Sequence, residues 1–145
     1  MMGEHETPRS GRWLLKTEPD DYSYDDLERD GRTVWDGIAN NAALKWMRDM
    51  QPGDTAFIYH TGDERQAVGV ATILSAAYAD PQQSDPKLLV VDVSPLRRLS
   101  APVTLATIKA EPFFSDFALV RQARLSVVPV SASQWEWMLA LSERP

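Results

Sequence analysis

Three short stretches hold the residues whose types and spacing suit chemistry. Lys16-Thr17-Glu18-Pro19 puts an amine, a hydroxyl and a carboxylate at the end of an apolar run. Trp35-Asp36-Gly37-Ile38-Ala39-Asn40 puts a tryptophan just before a helix start, and Tyr59-His60-Thr61 ends a second apolar run with side chains able to stack and hydrogen-bond. A flat aromatic wall with a few converging polar groups is what holds a planar heterocycle. Catalysis is less well provided for. A nucleophile needs a base and an orienting partner; His60 is the one credible base, and no GxSxG elbow surrounds it. The phosphate-cradling patterns GxxxxGK(S/T) and GxGxxG do not occur. Asp20, Asp21, Asp25 and Asp26 read as a solvated helix entry rather than a catalytic pair. There is no cysteine, and His5 and His60 are the two histidines, which removes thiol catalysis and cysteine-ligated metals. No catalytic residue, metal or cofactor is expected.

Every one of these residues also has a plain structural reading. Trp13 reads as core, and Trp46, Trp135 and Trp137 fall in helical patterns and read as packing. Trp35 reads equally as a pocket wall or as a plug at the end of a barrel. Glu18 reads also as a solvated strand end, and His60 as a core histidine with its hydrogen bonds satisfied. From the residues alone, the chain is an α+β protein with a pocket suited to a planar ligand.

The elements that position these residues follow from periodicity. Arg12 to Thr17 alternates as a strand, stopped by Glu18-Pro19. Ser23 with Asp26 three residues on forms a capping box for a helix over Tyr24 to Asp30, closed by Gly31. Asn40 or Asn41 caps a second helix with Ala43, Trp46, Met47 and Met50 on one face. Thr55 to Thr61 and Gln66 to Leu74 read as a hairpin around Gly62-Asp63-Glu64-Arg65. Lys87 to Val93 is a further strand, Thr104 to Ala110 and Asp116 to Gln122 are short helices, and Ser126 to Val130 is the last strand. Ser133 with Glu136 predicts the cap of a terminal helix. Residues 1–11 are expected to be a flexible leader and 12–145 one domain.

With 43% hydrophobic and 25% charged residues, the chain resembles an ordinary globular protein able to bury a core without disulfides. No apolar run approaches the ~18 residues of a membrane span, no signal-peptide pattern opens the chain, and a cytoplasmic, monomeric protein is expected. The net charge of −6 is uneven: residues 1–86 carry −8 and residues 87–125 carry +3. An acidic total argues against gripping long phosphate backbones, yet it allows a short site beside a local basic patch. That patch is expected from Arg97, Arg98, Lys109, Arg121 and Arg124, joined by Lys16 and Arg12, with the acids of residues 20–30 on another side.

Six blocks in order resemble the EVE domain family. They are Trp13-Leu14-Leu15-Lys16-Thr17-Glu18-Pro19, Val34 to Asn40, Gly53-Asp54 through Tyr59-His60-Thr61, Val68-Gly69-Val70-Ala71, Val91-Asp92-Val93, and Arg124-Leu125-Ser126-Val127 with Pro129-Val130. The resemblance spans residues 12 to 141. It implies a PUA-like β-barrel or pseudobarrel of about five to six strands surrounded by short helices, close to the YTH domains. It further implies a non-enzymatic module that reads a modified base, chiefly modified cytosine in DNA, flipped into an aromatic-walled pocket.

Carried onto this chain, the family pattern implies a base pocket of Lys16, Thr17, Glu18, Trp35, Gly37, Asn40, Tyr59, His60, Thr61 and Ser126. Trp35 is then a wall, Asn40 a base-edge contact, Thr17 the mouth, and Glu18 or His60 a partner for exocyclic groups. Arg12, Arg97, Arg98, Arg121 and Arg124 are expected along the nucleic-acid backbone. The chain departs from the family's usual pattern at Ala39, where arginine is common, and at Thr17 and Thr61, where serine is. Alternatives are a reader of modified RNA, a small-ligand-binding protein, and a nucleobase-processing enzyme using the same pocket.

Overall fold

The computed structural model describes residues 10–144, so the expected leader lies outside the described residues except for Ser10 and Gly11. Six strands form one curled sheet in the order β2-β6-β4-β3-β1-β7. They are β1 (Arg12–Thr17), β2 (Thr33–Trp35), β3 (Thr55–His60), β4 (Gln66–Ile73), β6 (Leu89–Thr104) and β7 (Val127–Pro129), and the short β5 (Tyr78–Ala79) pairs with β6. Five helices surround the sheet: α1 (Tyr24–Asp30), α2 (Asn41–Met47), α3 (Leu105–Ala110), α4 (Ala118–Arg121) and α5 (Ala132–Ser142). This is the α+β half-barrel expected from the sequence. No helix among the described residues is long and apolar enough to cross a membrane.

β1 sits inside the sheet, parallel to β3 and antiparallel to β7. Its Trp13, Leu14 and Leu15 are buried on both faces, which is why the run reads as nearly continuous apolar sequence. Trp13 belongs to the core, as expected, and its indole N–H donates to the buried Asp54 carboxylate at 3.0 Å. The same Asp54 oxygen accepts the Gln51 N–H at 3.0 Å, fixing the turn that feeds β3.

Several expectations are met at the level of single caps. Ser23 and Asp26 make the reciprocal capping box, and Asn40 caps α2. Others need correction. Trp35, expected just before a helix start, ends a strand, β2, whose residues pair with Val91, Asp92 and Val93 of β6. The strand expected over Lys87 to Val93 runs on to Thr104. It passes Pro95 and Pro102 because the β4–β6 register shifts between Val70 and Ala71 and between Ala67 and Gly69, and such bulges are where a strand tolerates proline. The α5 cap is Ser131 with Gln134, not Ser133 with Glu136. Trp137 is 40% exposed and stacks on Phe113 outside the core.

α1 is held to the sheet through Tyr24. Its fully buried ring lies over Gly69, where a built Cβ would come within 2.5 Å of two ring carbons. The hydroxyl stands 2.8 Å from the Val70 carbonyl and 3.0 Å from that of Arg97. A methyl group at Gly69 therefore displaces a ring that has no room to move. Gly69→Ala is expected to lower stability by roughly 1–3 kcal/mol, the usual cost of overpacking, read as a reduced Tm. Tyr24→Leu combined with it is expected to cost less than the sum of the two changes; full additivity would show that Tyr24 and Gly69 are not in this contact.

Candidate functional site

At the far end of β1 a cleft of about 360 Å³ opens among Lys16, Thr17, Asp21, Tyr22, Thr33, Val34, Trp35 and Asp36. Three segments build it. Glu18 begins a tight turn, its carbonyl accepting the N–H groups of Asp21 and Tyr22 at 2.9 Å each. The Thr17 hydroxyl donates to the Tyr22 carbonyl at 2.6 Å, closing the turn back onto the strand. β2 supplies the opposite wall through its pairing with β6. The Tyr22 and Trp35 rings meet edge to face, 6.2 Å apart at 85°. Trp35 is 6% exposed and belongs to the hydrophobic core as well as to the cleft wall.

Lys16 brings a cation to this cleft. Its Nζ donates to the Ala123 carbonyl at 2.8 Å and stands 5.9 Å from the centre of the Tyr59 ring. Half-burial holds its pKa below the ordinary lysine value. Burial, followed by the neighbouring Asp30 carboxylate, raises the Tyr22 phenol above its ordinary value. That phenol donates to Asp30 at 2.8 Å.

Of the pocket residues expected from the sequence, Lys16, Thr17 and Trp35 line this cleft. Glu18 turns away: its Oε1 accepts the Asp20 N–H, and its carboxylate packs over Gly62, leaving no room there for a Cβ. His60 is buried with both ring nitrogens engaged. Nε2 accepts the Tyr24 N–H at 3.1 Å, so Nδ1 carries the proton and donates to Glu64 at 2.8 Å. The expectation that His60 contacts a ligand is corrected to the satisfied core histidine. Tyr59 is buried, and that burial raises its phenol pKa. Thr61 binds the Thr17 carbonyl through its N–H and its hydroxyl, at 2.9 and 3.3 Å. Ser126 accepts the Lys16 N–H through its carbonyl. Gly37 and Asn40 are exposed in the segment after Trp35, with the Asn40 Oδ1 taken by the Ala43 N–H.

The basic residues are not gathered at the cleft. Arg98 forms ion pairs with Asp25 and Glu28 and stacks over Tyr24 at 5.1 Å, so the expected separation of this arginine from the acids of residues 20–30 is corrected. Arg12 donates to the Ser10 carbonyl at 2.9 Å, and Arg12 and Arg97 border a different hollow of about 430 Å³. That hollow lies at the opposite end of β1, roughly 17 Å from Thr17 at the usual rise per strand residue. Arg121 and Arg124 are exposed on either side of Ala123, the residue that holds Lys16. Lys109 lines neither hollow.

Sequence reasoning missed Asp21, Tyr22, Thr33, Val34 and Asp36. Asp36 sits within a quoted motif and Tyr22 directly precedes the Ser23 cap, which were the available signals; Thr33 and Val34 lie in a strand too short to show alternation. No group of three or more metal-ligating side chains forms among the described residues.

The EVE domain family model matches residues 11–141. Thymocyte nuclear protein 1 of Danio rerio is 30% identical to this chain, over 92% of the chain and 73% of the relative. The NMR structure of a Rhodopseudomonas palustris protein superposes with a TM-score of 0.86 at 39% identity, covering 90% of this chain and 92% of its own. The crystal structure of human THYN1 protein in complex with 5-methylcytosine-containing DNA superposes with a TM-score of 0.84 at 26% identity, covering 92% and 98%.

Lys16 offers a test of the cleft's electrostatics. Because its folded-state pKa is lowered, the unfolded chain binds the proton more tightly, and stability rises with pH between the folded-state pKa and the ordinary lysine value of 10.5. Below the folded-state pKa the burial penalty is present in full. Lys16→Met removes that penalty, so its Tm at neutral pH is expected to equal or exceed that of the parent. The gap is expected to narrow as pH rises through the alkaline window. A Tm difference independent of pH, or a variant clearly less stable at pH 7, contradicts this.

Proposed function

This chain belongs to the EVE domain family, and from that premise we propose that it binds DNA carrying a modified cytosine, without catalysing a reaction. The modified base is flipped out of the duplex into the cleft at the end of β1. The observation that carries this reading is the cleft itself, walled by Trp35 and Tyr22, in a fold shared with a relative solved in complex with 5-methylcytosine-containing DNA. Residues 12–145 act as one domain and as a monomer.

The energetics are those of a base reader. Flipping costs a few kcal/mol of lost stacking and pairing, and base–aromatic stacking returns roughly 1–3 kcal/mol. Lys16, with two N–H donors beyond the one given to Ala123, contacts the base edge, and Thr17 forms part of the mouth. A 5-methyl group adds only about 0.8 kcal/mol of apolar burial, so recognition rests on fit against Val34 and the two rings. The flanking phosphates run along the side of the cleft that carries Arg121 and Arg124. Nothing in this arrangement calls for a catalytic base, and His60 spends both nitrogens on the fold.

The test is fluorescence anisotropy with short duplexes, identical except for one cytosine, 5-methylcytosine or 5-hydroxymethylcytosine, made in DNA and in RNA. A modified DNA duplex is expected to bind at least several-fold more tightly than the unmodified one. Trp35→Phe keeps a ring in the core and is expected to weaken that binding about tenfold, equivalent to about 1.4 kcal/mol. Equal affinity for every duplex, or preference for RNA throughout, overturns the reading. Conversion of any duplex over time, seen by mass spectrometry, overturns its non-enzymatic part.

A further inference from the structure

We propose that the carboxylates of Asp21 and Asp36 make this cleft choose its base by the exocyclic amine, admitting cytosine-type bases and refusing thymine-type ones. The inference rests on the base-reading function proposed above and adds to it the groups that set which base is read.

The observation is an imbalance of partners in an acid-rich segment. Residues 20–30 carry six acids, and four of them have defined work in the fold. Asp25 and Glu28 hold Arg98, Asp26 closes the α1 capping box and pairs with Arg29, and Asp30 takes the Tyr22 phenol and Arg29. Asp21 has no such partner among the described residues, and it lines the cleft. Asp36, just past the end of β2, lines the other side and likewise has no side-chain partner among them. Two other polar groups of the cleft are committed: the Thr17 hydroxyl donates to the Tyr22 carbonyl, and the Tyr22 phenol donates to Asp30. The cleft therefore offers a ligand two open carboxylate acceptors and the remaining N–H donors of Lys16.

That pattern has a chemical complement. Cytosine presents an N4 amino donor beside the acceptors N3 and O2, whereas thymine presents the acceptor O4 where cytosine has its amine. A carboxylate facing N4–H gains a charge-assisted hydrogen bond; facing O4 it meets a lone pair. 5-Methylcytosine and thymine carry the same 5-methyl group, so apolar contact cannot separate them, and only the polar edge can. Sites that hydrogen-bond a specific donor reject analogues lacking it far more strongly than apolar pockets reject a missing methyl. Both carboxylates are exposed, so the discrimination expected here is tens of fold rather than thousands. The same charges repel phosphate, which agrees with a backbone path on the side of Arg121 and Arg124.

The experiment uses DNA duplexes with 5-methylcytosine or thymine placed opposite an abasic position, so that neither base is paired, and a third duplex with an abasic position on both strands. The parent protein is expected to bind 5-methylcytosine at least tenfold more tightly than thymine. In Asp21→Asn/Asp36→Asn the ratio is expected to fall to within about threefold, since an amide can donate to O4, and the Tm is expected to stay unchanged. Two results overturn the inference while leaving the base-reading function standing: thymine binding as tightly as 5-methylcytosine with both above the abasic duplex, or a ratio unchanged in the double variant. If all three duplexes bind the parent alike, the base-reading function fails and the inference falls with it.

Discussion

The N–H of Tyr24 opens a helix whose first ring is fully buried, and its acceptor is the Nε2 of His60 at 3.1 Å. A buried donor left without an acceptor costs about 1–3 kcal/mol, so the bond fixes where α1 meets the β3–β4 hairpin. The rest of the site hangs from that junction. The Tyr24 ring descends over Gly69 and carries Arg98 on its outer face. The preceding turn, residues 18–22, is anchored at one end by β1 and at the other by this helix start. Glu64, by accepting from Nδ1, settles the tautomer that leaves Nε2 able to accept. A histidine that looks like a catalytic candidate in the sequence is thus the peg on which the cleft's near wall is hung.

The charges follow the same logic of commitment. An acidic helix beside a basic strand would ordinarily suggest one face for nucleic acid and another for solvent. Here Arg98 crosses to α1 and pairs with Asp25 and Glu28, contacts that contribute little each because they are exposed. Their consequence is geometric: they tie Arg98 to α1 and leave Lys16, Asp21 and Asp36 as the charged side chains that line the cleft. A count of charges along the chain locates neither the pairs nor the remainder.

What was legible in the sequence is what chain neighbours decide. Ser23 finds Asp26 three residues on, Asn40 finds the Ala43 N–H, and the β3–β4 hairpin closes across five residues. The run from Arg12 to Thr17 was legible as the strand β1. The reading failed where partners are distant or where a local signal was overruled. β2 is three residues long and exists only through its pairing with β6, some sixty residues later. β6 outlasts two prolines because bulges absorb them. Ser131 and Ser133 are both plausible caps, and the reciprocal bond from Gln134 selects the earlier one. At the cleft, Lys16, Thr17 and Trp35 are the named residues that line it. Glu18 and His60 are not among them, and hydrogen bonds to Asp20, Tyr24 and Glu64 engage them elsewhere.

Ala39 bears on the same balance of charge. The family resemblance implies that an arginine is usual there, and in this chain the residue is exposed in the segment that leads from Asp36 to the α2 cap. An arginine at that place would add an exposed cation three residues along the chain from Asp36. Its replacement by alanine leaves Lys16 as the one cation among the described residues that line the cleft, in a chain of net charge −6. Affinity drawn from neutralised phosphates scales with their number, and few are within reach here. On the proposed function, then, binding in this member of the family depends less on the backbone and more on what enters the cleft. Discrimination between bases becomes a larger share of the total, and weak binding to unmodified DNA is part of the same balance.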